Sequence, residues 1–307
     1  MKHILEPPIF FNKKIIEQEN LTYKDYFNIY NNLFNSKIGK EYIKNTDEIL
    51  KNRKSNFLIM YMNFKSHNIL EKNSRNKLYN IIEKYNPNLI CLSEALLPIN
   101  IPNNKNTKSN PKILEIEKLE DDTIIGPYKS AKKFEDKKLD IYKGFKKVKN
   151  IWKYFFMKNG YKYIIFANPT FCPWGENWGN CIIMKEKPEE TYILQMGHYG
   201  KKGFGKFESR NMIVIKTNNQ YIATTHLDNN NLKARSNQTK EIIDFLKKHK
   251  ITENLTLVGD LNAINKNSYT KKELSILKQR NINQEDLPFD AVELLNESKI
   301  LGSKPIN

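Results

Sequence analysis

LTLVGDLN, residues 255–262, is the stretch on which the fold turns. Leu255-Thr256-Leu257-Val258 has the length and apolar content of a buried strand. Gly259 follows at the exit, and Asp260 and Asn262 put a carboxylate and an amide two residues apart, on one side of it. Three other apolar runs end alike: FLIMYMN (57–63) closes on Asn63, NLICLSE (88–94) on Glu94, and YIATTHLD (221–228) carries His226 near its end. Any one of them has an ordinary reading, Asp260 as a turn former after glycine and His226 as a satisfied core histidine. Together they offer oxygen donors for a hard divalent ion, an imidazole for a phosphate oxygen and an amide to orient a nucleophile.

Working outward, FLIMYMN is followed by NILEKNSRNKLYNIIEKY (68–85), in which Leu78, Ile81, Ile82 and Tyr85 recur at helical spacing. Asn86-Pro87-Asn88 stops that helix, and NLICLSE resumes as a strand, which makes a βαβ opening. Five short apolar runs follow between turn residues: YKYIIFANP (161–169), GNCIIMKE (179–186), TYILQMG (191–197), RNMIVIKT (210–217) and QYIATTHLD (220–228). They predict a largely antiparallel sheet region. NNNLKARSNQTKEIIDFLKKHK (229–250) predicts a helix with Leu232, Ile242, Ile243 and Leu246 on its buried stripe, capped by its asparagines. Strands and helices in this alternation predict an α/β fold of two packed mixed or antiparallel sheets flanked by helices, four layers in all. Residues 1–55, with Tyr23, Tyr26, Phe27, Tyr30 and Phe34 at mostly helical spacing, read as a helical N-terminal extension to a domain over 56–307. The lysine-rich stretch at about 100–150 reads as a mixed-charge insertion away from the core.

The 307 residues carry 51 Lys+Arg against 34 Asp+Glu, a net charge of +17, and 39% hydrophobic residues. That apolar content supports a buried core and argues against a fully disordered chain. The positive excess attracts polyanions, nucleic acid among them, although lysine and asparagine rise together with isoleucine as an A+T-rich genome would dictate. No apolar stretch has the length of a secretion signal or a membrane span, so no membrane partner is expected. Three cysteines without paired spacing exclude a disulfide framework and structural zinc, and point to a reducing intracellular compartment, cytoplasm or nucleus.

The segments YMNFKSHN, LICLSEA, GNCIIM, ESRNMIVIK, TTHLD and LVGDLN, in this order, resemble the endonuclease/exonuclease/phosphatase superfamily over about residues 56–302. RNMIVIK with TTHLD, ARSNQTKEIIDFLKKH, GDLN and LPFDAVELL looks most like the tyrosyl-DNA phosphodiesterase group within it. The resemblance implies a hydrolase, a nuclease or phosphodiesterase of the kind that serves DNA repair, acting on DNA or a tyrosyl-DNA adduct with Mg²⁺ (or Mn²⁺). It implies that Glu94 and Asn63 hold the metal, that Asp260 orients or deprotonates water, that Asn262 aligns it, and that His226 donates to a non-bridging phosphate oxygen. Asn180 in WGNCIIM looks like the family's substrate-side asparagine. Arg210, which opens RNMIVIKT, is read as an ordinary surface charge, as orienting the site through a carboxylate such as Glu208, or as a substrate-side cation. Trp178 in CPWGENWGN can stack on a nucleobase or tyrosyl ring, or pack against the domain edge.

The chain departs from the family pattern at its end. A terminal Ser-Asp-His signature is absent, since the five histidines are His3, His67, His198, His226 and His249. The resemblance therefore implies a C-terminally incomplete sheet whose final strands are missing, with three explanations open (a fragment of a longer protein, a separate chain as the partner supplying the strands, or a degenerate relative), and impaired activity for this chain alone. Two alternatives stand beside the phosphodiesterase: an inositol or lipid phosphate phosphatase of the same superfamily, and a non-catalytic nucleic-acid-binding relative.

Overall fold

The computed structural model describes residues 48, 57–63, 72–96, 112–125, 146–149, 151–167, 178–197, 210–228, 232–262, 295 and 298. The chain divides into two compact units, Phe57–Ala263 with Asp290–Ser303 forming one. The other holds Met1–Asn56, Ile264–Phe289 and Lys304–Asn307, of which only Glu48 is described. The helical extension read over 1–55 thus lies outside the described residues, Glu48 excepted.

The first unit is a four-layered α/β sandwich. β1 (Ile59–Asn63), α1 (Lys72–Tyr85) and β2 (Leu89–Leu96) form the expected βαβ opening, with β1 and β2 parallel and Ile59 opposite Leu89. β3 (Lys112–Glu115) belongs to the same sheet, β4 (Asp122–Ile125) and β5 (Lys146–Lys149) pair as a separate ribbon, and α2 (Ile151–Lys158) follows. β6 (Tyr163–Ala167) and β7 (Trp178–Met184) complete a five-stranded sheet of order β1-β2-β7-β6-β3. β8 (Glu190–Gln195), β9 (Asn211–Thr217), β10 (Gln220–His226), α3 (Leu232–Lys248) and β11 (Leu255–Asp260) build a four-stranded sheet of order β11-β10-β9-β8. Among the described residues, no helix is long and apolar enough to cross a membrane.

Alternation along the strands sorts side chains into three apolar layers. From β2, Ile90 and Leu92 face outward, joining Leu78 and Ile82 of α1 and Trp152, Phe155 and Phe156 of α2. Leu89 and Cys91 face inward, meeting Ile165, Ile182, Ile213, Ile215 and Ile222 between the sheets. On the far side Met212, Val214 and Ala223 lie under Ile242, Ile243 and Leu246 of α3. Because both faces of β2 and β9 are covered, LICL and MIVI are continuous apolar runs. Burial also pushes the Cys91 and Cys181 thiols far above the ordinary thiol range, so neither is a nucleophile.

Two features differ from the sequence reading. The five later runs are antiparallel, yet they split: β6 and β7 join β2, whereas β8, β9 and β10 form the other sheet. Pro188 lies in the link and has no N–H for a ladder, and the next residue already bonds to the second sheet, where Glu189 N–H donates to Lys216 O at 2.9 Å. Part of the stretch at about 100–150 also reaches the core. β3 pairs with β6 in register Ile113 to Ile165, and Ile116 beyond it is fully buried.

Candidate active site

Each sheet has a parallel pair at one edge, made by a helical crossover: β1 with β2, and β10 with β11. Parallel strands end at the same side, so Asn63 exits beside Ser93 and His226 beside Asp260. β1 packs on β11 and β2 on β10 and β11, which brings the four strand ends to one place. The Asn63 amide Nδ2 donates to Asp260 Oδ2 at 2.9 Å and lies 3.5 Å from Glu94 Oε1. His226 Nε2 is 3.7 Å from Glu94 Oε1 and 3.9 Å from Asp260 Oδ2. The Glu94 and Asp260 side chains keep 26% and 23% of their exposure, so the cluster opens to solvent on the carboxylate side.

Backbone geometry presents these groups. Glu94 adopts φ +51° at a register shift between Leu92 and Ala95 in the pairing of β2 with β7. A bulge with a left-handed glutamate re-aims one side chain at a cost of about 1–3 kcal/mol. On β11, a Cβ at Gly259 would lie 2.2 Å from Thr225 O, so only glycine lets β11 approach β10 this closely. Asp260 Oδ1 accepts from Asn262 N–H at 3.0 Å, an Asx turn, and the Asn262 amide donates to Leu227 O at 2.8 Å. Asn262, at φ +48°, thereby ties the ends of the two strands that carry Asp260 and His226.

His226 is buried and its Nδ1 meets Arg210 Nη1 at 3.1 Å. Burial, with the Arg210 cation second, holds the imidazole well below the ordinary histidine range, so the ring is neutral. Its contacts with the carboxylates are longer than hydrogen bonds and do not form an ion pair. Arg210 itself is buried, and His226 is one of its partners; the carboxylate suggested from sequence, Glu208, lies outside the described residues.

Asn180 sits one step away in a buried inter-sheet network. Its amide donates to Asn211 Oδ1 at 2.8 Å and Asn211 O at 3.1 Å. The Asn211 amide donates to Ala167 O at 3.0 Å, and Thr225 Oγ1 donates to Asn211 O at 2.9 Å. Both Asn180 donors are therefore directed at Asn211. Trp178 opens β7 opposite Leu96, and its side chain lies outside the described residues.

Sequence reasoning passed over Asn211 and the polar stripe at the start of α3. Gln238 accepts from Asp228 N–H at 2.9 Å, Arg235 donates to Asp228 O at 3.1 Å, and Thr239 bonds back to Arg235 O. All are buried, and together they hold the loop two residues beyond His226. The signal was present: Arg235, Thr239, Ile242 and Leu246 follow helical spacing, so polar residues continue the apolar stripe.

Two carboxylates that converge on one amide, beside a neutral imidazole, form an oxygen-rich cluster. The donor set fits a hard divalent cation that keeps much of its water shell, with Glu94 and Asn63 available as ligands. Among the described residues, no group of three or more His, Cys, Asp or Glu forms an all-protein metal cage.

No protein-family model matches the chain, and no curated protein does. Solved structures similar to it include an AP endonuclease from Archaeoglobus fulgidus, covering 80% of this chain and 70% of that one, at 13% identity and a TM-score of 0.43. The human Nocturnin catalytic domain with bound sulfate covers 67% of this chain and 65% of its own, at 15% identity and a TM-score of 0.39. Truncated Caenorhabditis elegans TDP2 covers 70% and 65%, at 12% identity and a TM-score of 0.38. The chain spans just under two thirds of the Nocturnin domain and 54% of ANGEL2, a 2′,3′-cyclic phosphatase.

Proposed function

We propose that this chain is a divalent-metal-dependent phosphodiesterase of the endonuclease/exonuclease/phosphatase superfamily, hydrolysing phosphoester bonds in DNA or a tyrosyl-DNA adduct. The observation that carries the reading is the Asn63 amide lying between the Glu94 and Asp260 carboxylates, with His226 Nε2 within 4 Å of both. Four residues from four separate strand ends meet there, each of the type the sequence resemblance requires.

Glu94 and Asn63 would hold Mg²⁺ or Mn²⁺, which when bound supplies charge to polarise the phosphate and stabilise the leaving oxygen. Asp260 accepts a proton from the attacking water and aims it at phosphorus. Asn262 acts through Asp260, whose carboxylate it holds with its backbone N–H. His226 presents a neutral ring to a non-bridging oxygen, where negative charge grows as the new P–O bond forms. Asn180 and Arg210 support the substrate side, and Trp178 offers a ring for a base or tyrosyl group. The net charge of +17 favours a polyanionic substrate.

The test is incubation with a 5′-tyrosyl single-stranded oligonucleotide and Mg²⁺ or Mn²⁺, beside an Asp260→Ala control. A 5′-phosphate end released only by the parent supports the reading. Hydrolysis confined to an inositol phosphate assigns the phosphatase instead. Salt-sensitive DNA binding indifferent to Glu94→Ala, with no hydrolysis in either metal, assigns a binding protein.

A further inference from the structure

The imidazole of His226 has two different neighbours. Nδ1 faces Arg210 Nη1 at 3.1 Å, and Nε2 faces Glu94 Oε1 at 3.7 Å and Asp260 Oδ2 at 3.9 Å. A guanidinium carries only donors and does not lose its proton in a protein. Nδ1 can meet it only as an acceptor, through its lone pair, and an imidazole with a bare Nδ1 carries its one proton on Nε2. This reverses the usual arrangement of a general base, in which a carboxylate or carbonyl accepts from Nδ1–H and leaves Nε2 bare. The contact is also protected, since Arg210 is 7% exposed and His226 4%. Its backbone is held too, because Arg210 O accepts from Met196 N–H at 2.9 Å. The Nε2–H is aimed at the carboxylate cluster but is too far from either oxygen to be committed to it.

We infer that Arg210 is a positioning residue that fixes the tautomer of His226. By donating to Nδ1, it makes Nε2–H the face turned to the Glu94–Asp260 cluster, so that His226 serves the reaction as a hydrogen-bond donor to an anionic oxygen and takes no proton. This role gives a reason for an arginine immediately before β9. Its chemical consequence rests on the phosphodiesterase reading; the tautomer itself does not.

Tautomers are read directly from the ring nitrogens. In the metal-free full chain labelled with ¹⁵N-histidine, His226 is assigned as the signal lost in His226→Gln. The expected spectrum places Nδ1 in the range of an unprotonated imidazole nitrogen and Nε2 in the protonated range. A protonated Nδ1 overturns the inference, whatever the chain hydrolyses. In Arg210→Met the single tautomer is expected to give way to exchange between the two; an unchanged spectrum would show that the carboxylates alone set it, and would also overturn the inference. Should Arg210→Met not fold, Arg210→Lys keeps a cationic donor and is expected to preserve the parent pattern, with a switched tautomer counting against it. In the tyrosyl-oligonucleotide assay, His226→Gln retains an amide N–H and is expected to stay within about tenfold of the parent, whereas His226→Ala loses about 10²–10³ in kcat. Equal losses would overturn the donor role. A parent that hydrolyses nothing refutes the functional reading alone, because the tautomer is measured without substrate.

Discussion

The Asn63 amide donates to the Asp260 carboxylate at 2.9 Å across 197 positions of sequence, joining the edge strand of one sheet to the edge strand of the other. The same amide lies 3.5 Å from Glu94, so one uncharged donor separates two carboxylates that would otherwise repel. On the proposed metal-dependent reading, the arrangement is tuned for an additional positive charge.

Glu94 carries the test of that tuning. Its left-handed φ disfavours every residue except glycine and, to a smaller degree, asparagine and aspartate. Glu94→Gly is expected to raise stability by about 1 kcal/mol, through relieved backbone strain and removed repulsion. It should also abolish Mn²⁺ binding measured by paramagnetic resonance. A variant that is less stable than the parent would show that the bulge is not strained.

Gly259→Ala addresses the approach of β11 to β10. The added Cβ would lie 2.2 Å from Thr225 O, a backbone atom of a central strand. The two strands have to separate, at an expected cost of at least about 3 kcal/mol. Gly160, at φ +79° with open space around its Cβ position, is the control, and Gly160→Ala should cost about 1 kcal/mol. Urea midpoints of the two variants, compared with the parent, check the order; equal losses would refute it.

Asn211 and Asn180 form a coupled pair. Asn211→Ala leaves Ala167 O without its amide donor and leaves the Asn180 amide only the backbone Asn211 O, which predicts a loss of about 2–4 kcal/mol. Asn180→Ala should lose less, and the double variant should fall short of the sum by at least about 1 kcal/mol. Additive losses would mean that the two amides do not act as one network.

His226 gives stability a pH dependence of known sign. Its folded pKa is lowered, so between that value and the unfolded value of about 6.5 the unfolded chain binds more protons than the folded one. Stability from the neutral ring is complete above that pH and falls as the pH drops below it, by up to about 1.4 kcal/mol per unit. Thermal melts at pH 7 and pH 5 should therefore differ more in the parent than in His226→Gln. Identical differences would show that His226 is protonated in the fold.

Much of this architecture is written locally. A strand buried on both faces must be apolar throughout, which is why LICL and MIVI were legible, and a helix on a sheet must repeat near 3.6 residues, which placed Ile82 and Ile242 on their buried faces. The ends of the apolar runs nominated Asn63, Glu94, His226 and Asp260, because each run closes on or near a polar side chain suited to a metal or a phosphate. Such patterns extend over a few residues and say nothing about partners a hundred positions away. The division of five apolar runs between two sheets, the left-handed turn of Glu94, the Asn180–Asn211 link and the Arg210–His226 contact depend on which surfaces pack together. Only the tertiary structure decides them, since burial alone makes an asparagine, an arginine and a histidine seek one another out as partners.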